Sequence, residues 1–195
     1  QNSCFLVSSL KRTGPTKQLI NILTALDKER YGIVLITLHD EPLDSLKDNV
    51  ILLGVDVRCL NIKGLISYPR AIIRLKYYLA EFSPDIVHSH GIKSDTFNVL
   101  FASNLKKVSS IRCIFDDDYC GIYGPKLGSL IARIHFGVCS RMDYLVPVSN
   151  TIKDSLLNKI RKPVVKTIFN VLSKVKDINE FDAEAIKCKL GFPEE

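Results

Sequence analysis

The feature that most constrains this chain is a regular alternation between short apolar runs and longer amphipathic stretches. Apolar runs rich in branched residues cover residues 4–10, 31–38, 55–62, 85–89, 109–115, 144–149 and 163–170. Stretches with helical periodicity lie between them, at residues 15–29, 43–52, 67–82, 92–105, 125–141 and 150–159. Strands that are apolar almost throughout and alternate with helices are typical of a parallel sheet covered on both faces. The sequence therefore predicts an open, doubly wound α/β domain.

The amino-acid composition indicates the size of the domain and the kind of ligand that it can bind. The chain has 195 residues, of which 46% are apolar, enough for the core of one domain. Its 27 basic and 21 acidic residues give a net charge of +6, which favours an anionic ligand such as a phosphate. The basic residues are spread along the chain without the cluster or aromatic signature of a nucleic-acid module, so we expect no nucleic-acid partner.

Cysteine spacing and hydropathy bear on location. The six cysteines form no C-x-x-C pair, and most lie inside apolar runs, where a free thiol behaves as a small buried hydrophobe. No run reaches the roughly 18 apolar residues of a membrane span, and no secretory leader precedes the first strand. We therefore expect a cytoplasmic protein, and peripheral contact with the inner face of the membrane stays open.

The turn after the first strand is a candidate phosphate site. In open α/β sheets ligands bind at the carboxyl ends of the strands, where loops enter helix N-termini. Here Gly14 closes the turn without a Cβ, Pro15 suits the first helical turn, and the exposed amides can face a phosphate. An ordinary strand-to-helix turn also favours glycine and proline, and neither G-x-G-x-x-G nor the P-loop pattern is present.

Two histidines lie two residues apart at the end of the fourth strand. Strand alternation places His88 and His90 on the same side, the arrangement of an H-x-H metal pair, for which Asp117 is one further candidate ligand. Alternatively His88 is structural and His90 faces a ligand at the mouth of the sheet, or both are simply solvated. His135 lies mid-helix among apolar neighbours, so we expect it to be packed.

Two other segments can each be interpreted either as functional or as purely structural. The acidic run at residues 116–118 follows the fifth strand as a loop, where carboxylates bind sugar hydroxyls or a cation, although acidic loops are commonly just solvated. The segment 63–78 combines basic and tyrosine residues around an apolar stripe. Such a helix packs on its sheet or, alternatively, lies against an anionic membrane.

The order of several motifs resembles one enzyme family. The segments LKRTGPTKQLINILTAL, PDIVHSHG, DYLVPVSNTIKDSL, VKTIFNVLS and KLGFPEE are similar to the amino-terminal domain of family-four glycosyltransferases with the GT-B fold. The resemblance spans almost the whole chain. It implies a Rossmann-like doubly wound parallel sheet with helices on both faces, forming the acceptor side of a two-domain enzyme.

The resemblance also implies roles for individual residues. Thr13 and Gly14 would bind the donor diphosphate, and His90 would be the cleft histidine that positions and polarises the reacting groups. Side chains expected at the acceptor are Lys11, Arg12, Lys93, Asp117 and Tyr119. Enzymes of this family are generally metal-independent and retain anomeric configuration, so no cofactor is expected beyond a nucleotide sugar as co-substrate.

Two departures and one gap qualify the resemblance. Thr13-Gly14 replaces the usual double glycine, and Asn170-Val171-Leu172-Ser173 replaces the common N-G-V-D. The family's glutamate pair, eight positions apart in the donor domain, does not occur here. We therefore expect an acceptor-side domain at residues 1–172 and, at 173–195, a linker with one helical segment near 181–190 that leads towards a missing carboxy-terminal donor-binding domain.

The function implied is transfer of a sugar from a nucleotide-sugar donor to a carbohydrate or lipid-linked acceptor in surface polysaccharide biosynthesis. The isolated chain is expected to be nearly inactive. Two alternatives stay open: a metal-dependent hydrolase that uses His88, His90 and Asp117, and a non-catalytic α/β accessory subunit that needs a partner chain.

Overall fold

The computed structural model describes residues 1–170, which form a seven-stranded parallel sheet with helices on both faces. The strands are β1 (Asn2–Val7), β2 (Gly32–Thr37), β3 (Asp56–Cys59), β4 (Ile86–His90), β5 (Lys106–Ile111), β6 (Tyr144–Pro147) and β7 (Val164–Val165). The helices are α1 (Gly14–Ala25), α2 (Lys47–Leu52), α3 (Tyr68–Phe82), α4 (Ile92–Phe101), α5 (Phe115–Tyr123), α6 (Pro125–Cys139) and α7 (Asn150–Leu157), with a 3₁₀ turn at Leu65–Ser67.

The strand order explains where a ligand can bind. The sheet runs β3-β2-β1-β4-β5-β6-β7, so the chain winds outwards from β1 in one direction and then restarts at β4 in the other. Loops on either side of this reversal leave the carboxyl edge on opposite faces and open a crevice between β1 and β4. The predicted doubly wound α/β fold is confirmed.

Alternate residues of the strands point to two different cores. Cys4 and Leu6 of β1 pack under α3 and α4, whereas Phe5 and Val7 pack under α1 and α2. A third cluster lies under α5, α6 and α7 beside β5 and β6. Because side chains of a strand alternate between faces, an apolar strand such as β1 supplies both cores at once.

Several element boundaries differ from the sequence-based expectation. Most strands are shorter than expected, most clearly β7, which covers Val164–Val165 instead of residues 163–170. β5 is shifted towards the amino terminus, since it begins at Lys106 and ends at Ile111 instead of residue 115. The acidic run Asp116–Asp118 is not a loop but the first turn of α5. Carboxylates are favoured there because the helix N-terminus carries a partial positive charge, so an acidic run and a helix start are compatible. The helix expected near residues 181–190 lies outside the described residues.

Two observations concern thiols and hydropathy. The five cysteines among residues 1–170 are all free thiols. In the same part of the chain, no helix combines the length and the apolar character needed to cross a bilayer.

Helices α5 and α6 touch through backbone at one glycine. A Cβ built on Gly128 would lie 2.5 Å from the backbone of Cys120, whereas a Cβ on Gly137 of the same helix would have nothing within 4 Å. We expect Gly128→Ala to lower the free energy of unfolding by about 1–3 kcal/mol, because the two helices must separate. Gly137→Ala is the matched control and should leave stability unchanged or raise it by up to about 1 kcal/mol. Urea denaturation compares the two, and equal stabilities would contradict the close packing.

Candidate functional site

The carboxyl ends of the strands align the candidate residues in one row. Val7 at the end of β1 pairs with Thr37 of β2 on one side and with His90 of β4 on the other. His90 in turn pairs with Ser110 of β5. The crevice at the strand reversal therefore opens directly over His90.

His90 lies between two cavities. A wide cavity of about 390 Å³ extends from His90 over the ends of β4 and β5 towards α5 and α6, and a turn cavity of about 210 Å³ extends from His90 to the turn before α1. Ser8, Pro15 and His90 line both. The imidazole Nε2 of His90 is buried and has no hydrogen-bond partner among the described residues. A single residue thus lines both cavities and has a ring nitrogen without a partner in the described part of the chain.

The two histidines have different environments although their rings stack. The rings of His88 and His90 are 4.8 Å apart with an interplanar angle of 29°, as expected for residues on one side of a strand. His88 Nε2 is hydrogen-bonded to Ser110 Oγ at 2.9 Å, within the sheet. His88 Nε2 therefore has a hydrogen-bond partner, whereas His90 Nε2 has none within residues 1–170.

Both rings are neutral at neutral pH. Burial, with a smaller effect of the nearby Arg112 charge, lowers the pKa of His88 to about 4. Burial also holds the pKa of His90 well below its usual value, assisted by His88 and Arg112. A neutral His90 acts by hydrogen bonding and by polarising a bound group, without a charge of its own.

The wide cavity contains some of the predicted acceptor residues and some that were not predicted. Lys93 and Tyr119 line it, whereas Asp117 is exposed on α5 and is not part of the lining; its neighbour Asp118 is. Arg112 also lines it and is half-buried, with a buried Nε that has no partner among the described residues. Sequence analysis placed Arg112 in the middle of a strand at residues 109–115. Because ligand-binding residues were expected just after each strand, Arg112 was not among the predicted site residues.

The turn cavity contains most of the predicted phosphate turn. Lys11, Thr13 and Pro15 line it together with Thr16. The Thr13 side chain contacts Thr16 Oγ1 at 3.0 Å and does not cap α1, and a Cβ built on Gly14 would meet nothing within 4 Å. Arg12 is exposed in the same turn but lies outside the lining of both cavities. An uncapped helix start beside open space suits an anionic group.

A buried polar network, which sequence reasoning missed, supports the wall of the wide cavity. Asp95 of α4 is 0% exposed and accepts hydrogen bonds at Oδ1 from Ser89 Oγ (2.6 Å) and Ser109 Oγ (2.8 Å). Its Oδ2 accepts from His135 Nε2 at 2.8 Å, because a carboxylate has no proton to donate. His135 Nδ1 shares a 2.8 Å hydrogen bond with the Tyr119 hydroxyl, which connects the network to the cavity.

His135 is packed as expected, but it is also part of this network. It is 2% exposed and its ring stacks on Phe115 with centroids 3.9 Å apart. Burial is the main reason that the pKa of Tyr119 is raised, so its phenol stays protonated at neutral pH. One feature of the sequence could have revealed the Asp95 network. Ser94, Asp95 and Asn98 are polar but lie on the side of α4 that faces the sheet, where apolar residues are usual.

Possible metal ligands converge at a place other than the histidine pair. Among residues 1–170, the group of three whose ligand atoms lie within 4.8 Å of one another is Asp95, His135 and Cys139, not His88, His90 and Asp117. Both oxygens of Asp95 already accept hydrogen bonds, and burial raises the pKa of the Cys139 thiol, which keeps it protonated. The arrangement is that of a closed hydrogen-bond network, since a metal would need these groups free and the thiol ionised.

Solved structures share this fold. HepE of Anabaena, crystallised with UDP and glucose, superposes with a TM-score of 0.68 at 16% identity, over 97% of this chain and 50% of HepE. Sucrose-phosphate synthase from Thermosynechococcus elongatus gives 0.65 at 10% identity, over 99% and 53% of the two chains. UDP-GlcNAc 2-epimerase from Methanocaldococcus jannaschii gives 0.61 at 15% identity, over 87% and 47%. The chain thus spans about half the length of these proteins.

Sequence comparison narrows the assignment, since one fold serves both transferases and an epimerase. A search of curated protein sequences found no match. The sequence model described as Glycosyltransferase Family 4 matches residues 13–171, from the turn before α1 to one residue beyond the described part of the chain. This chain therefore belongs to Glycosyltransferase Family 4.

Proposed function

We propose that this chain is the acceptor-side domain of a retaining glycosyltransferase that moves a sugar from a nucleotide-sugar donor to a carbohydrate or lipid-linked acceptor in surface polysaccharide biosynthesis. The observation that carries the proposal is the position of His90. His90 lines both the wide cavity and the turn cavity, and its buried Nε2 has no hydrogen-bond partner among the described residues. A group in that position can contact both substrates of a transfer reaction.

The turn cavity is proposed to hold the donor diphosphate. The uncapped amino end of α1 and the space beside Gly14 suit a phosphate, and Lys11 adds a positive charge. The presence of UDP in the structure of HepE supports a nucleotide donor for a related fold. Because the chain spans half of such proteins, most donor contacts are assigned to a second domain beyond residues 173–195.

The wide cavity is proposed to hold the acceptor. Lys93, Arg112 and Tyr119 offer hydrogen-bond donors and acceptors along its wall, and His90 closes the end nearest the donor. His90 positions the acceptor hydroxyl and polarises it, while the fixed charges of the two cavities stabilise charge that develops on the leaving diphosphate. No metal or other cofactor is required in this scheme.

Incubation of the complete protein with radiolabelled UDP-sugars and with lipid and polysaccharide fractions as acceptors tests the proposal. We expect labelled product and free UDP, activity that survives EDTA, and a product that keeps the anomeric configuration of the donor. Residues 1–195 alone should give almost no product, because the proposal assigns most donor contacts to a second domain. Zinc-dependent hydrolysis abolished by EDTA would instead support the hydrolase, and turnover only after addition of a separate chain would support an accessory subunit.

A further inference from the structure

One arginine of the wide cavity has a charge that the described residues do not neutralise. Arg112 follows β5 directly, is half-buried and lines the cavity together with His90. No ion pair of Arg112 occurs among residues 1–170. Burial lowers the pKa of Arg112, although a guanidinium stays protonated at neutral pH. A partly desolvated charge without a counter-charge is costly, so an anion that entered the cavity would be bound at this side chain.

The guanidinium of Arg112 is held at one end, and its Nε edge has the geometry of an oxyanion site. Arg112 Nη1 donates to Asn170 Oδ1 at 3.1 Å, whereas the buried Nε has no partner among the described residues. In a planar guanidinium, Nε–H and one N–H of Nη2 point in the same direction from a single edge, which does not include Nη1. Two parallel donors of this kind match the two oxygens of a carboxylate or a phosphate.

Arg112 lies close to His90. His90 pairs with Ser110 of β5, and Arg112 comes two residues after Ser110, the separation at which side chains of an extended chain share a face. The Arg112 charge also contributes to the lowered pKa of His90, which requires the two groups to be near each other. A ligand whose oxyanion is bound by Arg112 can therefore place a neighbouring hydroxyl against the His90 ring.

The other charges of the wide cavity favour an anion as well. Lys93 and Arg112 are the basic residues of its lining, and Asp118 is the acidic one. Asp118 interacts with the Cys113 thiol and forms no ion pair with Arg112. Arg112 does not line the turn cavity, so its free edge is separate from the proposed diphosphate site. The unmet positive charge therefore belongs to the cavity assigned to the acceptor.

We propose that Arg112 selects an acceptor that carries an oxyanion, a carboxylate or a phosphate, close to the hydroxyl that receives the sugar. This inference rests on the proposed function, since it names the class of substrate for the acceptor cavity of that reaction. The Nε edge of Arg112 binds two oxygens of the anion, and Lys93 adds a second positive charge. A neutral acceptor leaves the buried Nε without a partner and therefore binds more weakly. Arg112 is thus a residue that determines specificity and does not take part in the chemical step.

NMR observation of arginine Nε–H groups in the complete protein tests the proposal through binding alone. The probes are methyl β-D-glucuronide, glucose 6-phosphate and the neutral methyl β-D-glucoside, and the Arg112 resonance is identified by its absence from Arg112→Lys. We expect a saturable shift of that resonance with at least one anionic probe and none with the glucoside. The anionic probe that binds more tightly identifies carboxylate or phosphate as the recognised group. In ligand-observed titrations, Arg112→Lys should weaken its binding about tenfold and Arg112→Gln about 10–100-fold.

The matched control is Arg133→Gln, which removes an exposed arginine of α6 that lines neither cavity and should leave binding of the probes unchanged. An Arg112 resonance that stays in place with both anions at tens of millimolar, an equal shift with the glucoside, or an equal loss of affinity in Arg133→Gln would each overturn the proposal. The shift is measured on the wild-type protein, so a variant that fails to fold does not decide the result.

The outcome is also distinct from that of the sugar-transfer assay. A protein that transfers sugar but shows no Arg112 shift keeps the proposed function and loses this inference. A shift with the anionic probes in a protein that transfers no sugar supports the anion site at Arg112 and contradicts the proposed function alone.

Discussion

Replacement of His90 by alanine in the complete protein is expected to lower the turnover number for sugar transfer by about 10²–10³-fold. His90 lines both cavities, its buried Nε2 has no partner among residues 1–170, and the low pKa of the imidazole keeps the ring neutral. Alanine leaves the acceptor hydroxyl without the group that positions and polarises it. The measurement is release of UDP and labelled product at saturating donor.

The control for this change is His39→Ala. His39 follows β2 at the same edge of the sheet and, like His90, has a buried Nε2 without a partner among the described residues, but it lines neither cavity. We expect its turnover to stay within a few-fold of wild type. His90→Gln keeps a polar side chain and guards against a loss caused by misfolding. Equal losses in the His39 and His90 variants, or a His90→Ala loss below tenfold at an unchanged melting temperature, would refute the assigned role.

Replacement of Asp95 by alanine is expected to lower the free energy of unfolding by about 3–5 kcal/mol. The carboxylate is fully buried and accepts from Ser89, Ser109 and His135, so its removal deprives three buried donors of this acceptor, and only Ser89 has another, the Val108 carbonyl at 3.3 Å. Urea denaturation of the complete protein measures the loss. Amide hydrogen exchange should become faster in β4, β5 and α6, the elements whose side chains bond to Asp95.

The matched control is Asp48→Ala. Asp48, like Asp95, is an acidic residue in the first turn of a helix, but it is exposed. Its removal costs only the interaction with the helix dipole, within about 1 kcal/mol. If Asp95→Ala proved no more destabilising than Asp48→Ala, the hydrogen bonds around Asp95 would contribute little to stability.

The fold was predictable from the sequence because it depends on periodicity. Apolar runs and amphipathic stretches alternate so regularly that the parallel sheet follows, and the position of His88 and His90 on one side follows from strand alternation. The predicted boundaries of strands and helices were less accurate, and the wrong carboxyl end of β5 affected the predicted site. With the strand extended to residue 115, both Arg112 at the cavity and the start of α5 were missed.

The buried network could not be predicted because its members are far apart in sequence. Asp95 and His135 are separated by 40 residues and meet only when α4 and α6 pack side by side. Pattern analysis places a polar residue of an amphipathic helix on the solvent side, whereas Asp95 faces the sheet. Such a residue is stable only through partners on other elements, and a single sequence does not identify them.

The Asp95 network has a consequence for recognition. It joins β4, β5, α4 and α6 through one carboxylate, and the Tyr119 hydroxyl at the cavity wall is bonded to His135. The conformational entropy of that wall is therefore lost during folding and not when a substrate arrives. A ligand that matches the shape of this wall binds a surface that is already ordered. Selectivity can then arise from complementary shape and not from rearrangement of the protein.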